Sequence, residues 1–515
     1  MTRATAEEER VRPWLRLLPG LGILMIVALH GWSLMRYPAP FVDEAWYASR
    51  AMSLIQTGKA FGALDAGVFD RFPGYWTYFQ WVPVWLQSLT LRVAGAPSLL
   101  ALRLLSLSFG AVLACAVFSI GKSLGGVRHG VWAVILLSLS QAFFYSGHLA
   151  RYDIFAAALG FLAIAIHLRN VREEWAPALL EGFLVGLAFE IHPYAIIFAP
   201  TLAILELQRC KWRFWRRPSF AAFIAGGSIG AVGYLALHVL RFPETYFALN
   251  RLVYTATHTP PIATLDPVLM LTGLAEGAAM LAAFYTFAFP VILAAVFLLL
   301  RKRLPQNAQV LTMAGMMFLG LALFVRNKIA YYGILVTPAF DLLLAAFLVQ
   351  TPVVLHPMRG WALAAKGGAA LMVVASIAFN LSPLRADQSR AYLEVQRRID
   401  ASIRQSDRVM GPQTYWFGLT TNEYLSWEQL IYYQRYLPGA TLRAALEEFR
   451  PDVFIIDAHL DQFILDEPGT QLYEQYLRLP KGELAEALSE EAELIDTFWG
   501  GPYGQVRVYR FHWPG

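Results

Sequence analysis

Residues Phe41–Trp76 read FVDEAWYASRAMSLIQTGKAFGALDAGVFDRFPGYW, and the reading of this stretch decides how the rest of the chain is organised. It follows a first apolar span, Trp14–Met35, and opens on two adjacent carboxylates, Asp43 and Glu44. It closes on Asp70 and Arg71, followed by Pro73, Gly74, Tyr75 and Trp76. Ionisable groups beside a long hydrophobic run lie at a membrane face, where charge is costly and is usually kept for function. An acidic pair also suits the start of a helix, because Asp caps well and carboxylates favour a helix N-terminus. Capping and chemistry are compatible, since a cap orients the side chain.

Composition supports the membrane reading. The 515 residues are 57% hydrophobic and 15% charged, with a mean hydropathy of +0.46. A soluble chain carries roughly 25% charge. The apolar residues fall in runs of about 20, the length that crosses a bilayer core. The expected fold is therefore an all-α polytopic membrane protein. The two cysteines, Cys115 and Cys210, lie in or next to apolar spans and offer no metal cluster. The bilayer is the expected partner; nucleic acid is not.

Charge placement gives the expected topology. Arg3, Arg10, Arg12 and Arg16 precede the first span and place the N-terminus in the cytoplasm. No small-residue cleavage site follows, so this span is read as retained. Tyr75–Val93 is read as an interfacial helix on the outer face. Lys122, Arg128, the run RCKWRFWRR (Arg209–Arg217) and Arg301–Arg303 then all fall inside. Arg151, Asp153, His192, Tyr194, Arg241, Arg251, His258, Arg326 and Lys328 fall outside with Asp43. This gives about eleven spans, Leu271–Leu300 being one of them, plus outer-face juxtamembrane helices. The membrane part covers residues 1–382, with a first external loop at 37–97. Residues 383–515 are more polar and read as a small extracytoplasmic soluble α/β domain. Strands are expected at Arg408–Met410, Pro451–Asp457 and Val506–Phe511, and helices at Leu442–Phe449 and Gln471–Leu477.

The outer residues carry the candidate chemistry. Asp43, with Glu44 beside it, suits a general base that takes a proton from an incoming hydroxyl. Asp153 lies in HLARYD, where Arg151 can hold it ionised. Arg71, Arg241, Arg251, Arg326 and Lys328 are candidates for phosphate, which Arg meets with a planar fork and Lys with a point charge. Any one of them also suits a lipid headgroup; their accumulation on one side makes the case. Tyr331 and Tyr332 follow Lys328 and add hydroxyl donors. His192 and His258 are possible ligands or donors, but no pair has metal-binding spacing. No cofactor is expected, and a divalent cation is left open.

Five motifs in order resemble the GT-C class of integral membrane glycosyltransferases. They are VDEAWYA (Val42–Ala48), DRFPGYW (Asp70–Trp76), ARYD (Ala150–Asp153), EIHPYA (Glu190–Ala195) and KIAYYGILVTPAF (Lys328–Phe340). The likeness is strongest to the bacterial branch related to protein O-mannosyltransferases and to the lipid A aminoarabinose transferase. It implies transfer of a sugar from a polyprenyl-phosphate carrier to a protein, lipid or glycan acceptor outside the cytoplasm, at the inner or plasma membrane. It also implies Asp43 as base, Asp153 as a second-loop acid, and Arg71 in place of the branch's lysine. Asp70, Arg151, His192, Tyr194, Lys328, Tyr331 and Tyr332 would surround the carrier phosphate and sugar. A lipid or lipid-linked sugar transporter is the rival; transporters place ionisable groups at mid-membrane in repeated halves, whereas here they gather at one face.

Overall fold

The computed structural model describes residues 18–170, 172–253, 260–302, 305–354, 359–467 and 477–513. The chain begins with α1 (Leu18–Ser33), α2 (Val42–Thr57) and, after three short 3-10 turns, α3 (Trp81–Ala94). Then come α4 (Leu99–Ser138), α5 (Gln141–His148), α6 (Asp153–Arg169), α7 (Trp175–Ile191), α8 (Phe198–Cys210) and α9 (Pro218–Tyr234). They are followed by α10 (Pro243–Val253), α11 (Pro261–Thr264), α12 (Pro267–Tyr285), α13 (Phe289–Lys302), α14 (Pro305–Phe324), α15 (Thr337–Val354) and α16 (Arg359–Leu381).

Among the described residues, five helical segments are long and apolar enough to cross a bilayer, and a sixth forms if α5 and α6, bent by 115°, count as one span. The protein is thus a multi-pass membrane protein, but this measure does not reach the expected eleven spans. Part of the difference lies in how the helices break. In α4, Gly125 and Gly126 leave the helical conformation. A Cβ on Gly121 would sit 2.7 Å from the Gly130 Cα, so the two halves of α4 turn back on each other. The expected single pass Leu271–Leu300 is interrupted at Thr286–Ala288. Both ends of α12 meet the α14–α15 end of the bundle. Gly273 faces Ala322 and Lys328, while the Tyr285 hydroxyl donates to the Thr337 carbonyl (3.0 Å) and Asp341 (2.9 Å). Hence α12 and α13 are two helices, and α12 packs at the α14–α15 end of the bundle.

Helix packing follows from small residues. Gly182 and Gly186 on α7 face Gly226, Gly227 and Gly230 on α9. A Cβ on Gly182 would come 1.9 Å from the Phe223 carbonyl oxygen. Two GxxxG spacings thus let the backbones touch, a close packing that apolar side chains alone do not give in lipid.

Beyond α16, α17 (Gln388–Ser402) leads into a five-stranded sheet in the order β2-β1-β3-β5-β4. The strands are β1 (Arg408–Gly411), β2 (Glu423–Ser426), β3 (Val453–Ile456), β4 (Ala492–Trp499) and β5 (Gln505–Phe511). β1 pairs parallel with β2 and β3, while β5 runs antiparallel to β3 and β4. Central β3, VFII, is buried throughout, as a strand covered on both faces must be. Helices α18 (Glu428–Tyr436), α19 (Leu442–Phe449), α20 (Ala458–Asp461) and α21 (Lys481–Glu491) cover the sheet. The expected helix at Gln471–Leu477 falls largely outside the described residues. One apolar core runs from the bundle into this region, joining Ala45 and Leu113 to Val409 and Tyr415.

Candidate active site

A cavity of about 960 Å³ opens where the first loop, the bundle and the C-terminal region meet. That volume suits a small-molecule or cofactor-sized ligand. Helix α2 supplies one wall. Asp43, Trp46, Tyr47 and Arg50 all line the cavity, and their i, i+3, i+4, i+7 spacing puts them on one helical face. The helix starts where the Phe41 N–H donates to Glu44 (2.9 Å), and it stops at Gly58, left-handed at φ 72°.

The acidic pair splits. Glu44 is fully buried and gripped by Arg103 on α4, with Nε at 2.9 Å and Nη2 at 2.8 Å. It also accepts from the Ala150 N–H (2.8 Å), while Arg103 Nη1 donates to the carbonyls of Leu34 and Pro38. Glu44 therefore joins the first loop to α4 and to the second loop, and it does not reach the cavity. Asp43 points the other way; its side chain keeps 21% exposure and meets Arg151.

Arg151 is the hub. Its Nε donates to Asp153 (2.8 Å), its guanidinium lies 3.4 Å from the centre of the Tyr331 ring, and its Nη1 contacts Asp43. Asp153 is fully buried and lies 3.5 Å from His192 Nε2. Burial pushes His192 down to about 4, so this imidazole is neutral at pH 7. Tyr332 packs edge against face with His192, Tyr194 and Tyr331 along the wall, and His192 meets Tyr194 at a tilt. Thus Asp43 and Asp153, from separate loops, share one arginine. Glu190 of the same EIHPYA segment caps α3, accepting from the Trp81 (2.7 Å) and Val82 (3.3 Å) N–H groups.

Several expected site residues lie elsewhere. Arg71 pairs with Glu448 at 2.6 Å and lies over Tyr433, so it ties the first loop to the C-terminal region rather than facing the cavity. Asp70 is exposed and accepts from the Gly67 N–H. Lys328 donates to Glu276 (3.2 Å) and to the Val325 carbonyl (3.0 Å); neither it nor half-buried Arg326 lines the cavity. The late segment contributes tyrosines there, not its cations. Arg241 is exposed, Arg251 lines the cavity from α10, and His258 lies outside the described residues. Among the described residues, no group of three or more His, Cys, Asp or Glu is arranged to hold a metal ion.

Sequence reasoning passed over other lining groups. Arg50 makes a two-pronged pair with buried Asp65 (2.9 and 2.8 Å) and stacks on Phe79 at 3.8 Å. The i+7 spacing from Asp43 was the available signal. Glu428 and Tyr432 reach the cavity from α18. Burial pushes the Glu428 carboxyl up to about 7.

A family model described as dolichyl-phosphate-mannose-protein mannosyltransferase matches residues 81–233. No curated protein sequence matches the chain. Among solved structures, ArnT from Cupriavidus metallidurans bound to undecaprenyl phosphate is 14% identical, covers 97% of this chain and 98% of its own, and has a TM-score of 0.64. The oligosaccharyltransferase AglB from Archaeoglobus fulgidus, in complex with an inhibitory peptide and a dolichol-phosphate, is also 14% identical. That match covers 96% of this chain and 74% of the archaeal one, with a TM-score of 0.53. At such identities the likeness establishes the fold alone, which the chain shares with these two proteins.

Proposed function

We propose that the protein is a membrane glycosyltransferase that passes a hexose or pentose from a polyprenyl-phosphate carrier to an acceptor hydroxyl on the extracytoplasmic side of the cell membrane. The observation that carries this reading is the Asp43–Arg151–Asp153 arrangement: of the acidic residues Asp43, Glu44 and Asp153, Asp43 alone lines the cavity, and it is aimed by an arginine that buried Asp153 holds in place. The match to a carrier-dependent mannosyltransferase family over residues 81–233 supports it, as does the carrier lipid bound in the ArnT and AglB structures.

The step is one in-line displacement. The acceptor oxygen bonds to the anomeric carbon as the bond from that carbon to the phosphate oxygen breaks, and the electron pair leaves with the polyprenyl phosphate. Asp43 takes the acceptor proton, and the configuration inverts. Arg151 and Arg251 line the cavity and would offset charge growing on the leaving phosphate, where fixed cations in a water-poor site count most. Tyr331 and Tyr332 supply hydroxyls on the same wall.

The test uses the full chain in lipid nanodiscs with radiolabelled undecaprenyl-phosphate sugars and membrane extracts as acceptor source. Free undecaprenyl phosphate is the expected product; a transporter would release none. Asp43→Asn should cut release by about 10²–10⁴-fold, the usual share of a general base, while undecaprenyl phosphate still binds. Unchanged turnover in that variant would falsify the role of Asp43.

A further inference from the structure

Helix α18 belongs to the C-terminal region, yet it forms part of the cavity wall. It is fixed there by Gln429, a fully buried side chain that reaches into the first loop. Its Nε2 donates to the Leu64 carbonyl and its Oε1 accepts from the Val68 N–H, both at 3.2 Å. The Phe69 ring packs 5.0 Å from that of Tyr432. With the helix so fixed, Glu428 and Tyr432, one turn apart, both line the cavity.

Glu428 is 6% exposed, and it accepts from Gln413 Nε2 (3.0 Å) and from the Tyr432 hydroxyl (2.7 Å). Each carboxyl oxygen therefore has one donor and keeps further acceptor capacity. Among the described residues, no Lys, Arg or His comes within ion-pair distance of it. Arg435 and Arg50 act on its charge from beyond pairing distance, and a buried carboxyl without a paired cation is costly to keep for packing alone. The rings of Trp46, Tyr47 and Tyr78 line the same cavity. Aromatic rings and a hydrogen-bond acceptor in one cavity suit a sugar, whose C–H face packs on rings while its hydroxyls donate.

We infer that Glu428, held by Tyr432 and Gln413, accepts hydrogen bonds from the hydroxyls of the carrier-linked sugar, so that the C-terminal region selects the sugar being moved. This rests on the glycosyltransferase reading above, and it assigns the sugar to the α18 side of the cavity.

The experiment measures binding, not turnover. The full chain in nanodiscs is titrated, by its own tryptophan fluorescence, with undecaprenyl phosphate alone and with undecaprenyl phosphate carrying mannose, glucose, galactose or arabinose. Wild type should bind at least one linked sugar at least about tenfold more tightly than the bare carrier, equivalent to about 1.4 kcal/mol. Glu428→Gln should erase that preference and leave the affinity for bare undecaprenyl phosphate unchanged. Should Glu428→Gln fold poorly, Tyr432→Phe, which leaves the carboxyl in place without its holder, should lower the preference while the bare carrier still binds. The inference is overturned if wild type shows no preference for a linked sugar. It is equally overturned if both variants keep the preference, or if the bare carrier weakens in step with the linked one. A chain that binds a linked sugar through Glu428 yet never releases undecaprenyl phosphate sinks the transferase reading and leaves this contact standing.

Discussion

Replacing Glu44 by Gln, and separately Asp43 by Asn, divides the acidic pair into a structural and a chemical half. The Glu44 carboxylate accepts four hydrogen bonds, two from Arg103 and one each from the Phe41 and Ala150 N–H groups. Each oxygen holds one guanidinium N–H and one backbone N–H. A glutamine amide keeps one oxygen and turns an NH2 toward two donors. It also leaves Arg103, fully buried, without its counter-charge. Removing one partner of a buried pair costs about 3–5 kcal/mol. Asp43 is part-exposed, and Asp153 still faces Arg151 when it is neutralised. Its loss should cost about 1.5 kcal/mol, the value of one charged hydrogen bond. Thermal unfolding of both variants in nanodiscs, with carrier release measured on the same samples, separates the two. Glu44→Gln should melt several degrees below wild type. Asp43→Asn should melt close to wild type and be nearly inert. If Glu44→Gln melts with wild type yet loses turnover, Glu44 takes part in the chemistry and this division is wrong.

Other outcomes follow from the same geometry. The folded chain holds the Glu428 carboxyl near 7, against 4.5 for a free side chain. Folding favours its neutral form, so this contribution is fully present below pH 4.5. It fades by about 3 kcal/mol as pH rises to 7 and is level above that; Glu428→Gln should flatten this part of the pH dependence in urea unfolding, and equal slopes in both chains would refute it. Arg71→Ala removes a part-exposed pair with Glu448, so stability should drop by under about 1 kcal/mol, and carrier release should stay within about threefold of wild type; a large loss of release would return Arg71 to the phosphate site. Gly182→Leu drives a side chain into the α9 backbone near Phe223, and size-exclusion of a fluorescent fusion should show aggregate in place of a sharp peak; a wild-type profile would mean the α7–α9 contact is not needed.

The bundle and the gathering of Asp43, Arg151, Asp153 and His192 were legible because charges stand out against apolar runs. The division of labour within the Asp43–Glu44 pair was not, since it depends on Arg103, far along the chain and inside an apolar helix. Arg71 and Lys328 were misplaced for a related reason. The gathering of cations and the motif likeness suggested a site for Arg71, and the following tyrosines one for Lys328, but each has an acidic partner in Glu448 or Glu276. Arg50 and Asp65 were overlooked because their pairing closes only when the loop folds over α2. Of the strands, β1, β3 and β5 are rich in apolar or alternating residues and could be read. β2 is only EYLS, and β4 is a half-exposed edge whose AELIDTFW mixes polar with apolar.

The seat of α18 changes what a truncated version of this protein would be. Removing everything after residue 387 would leave no smaller working bundle, because one side of its reaction chamber would stand open to water. Conversely, the more polar C-terminal region carries groups, Glu428 and Tyr432, that line this cavity. Substitutions along this one short helix therefore offer a route to new ligand preference that leaves the buried Arg103, Arg151 and Asp153 untouched.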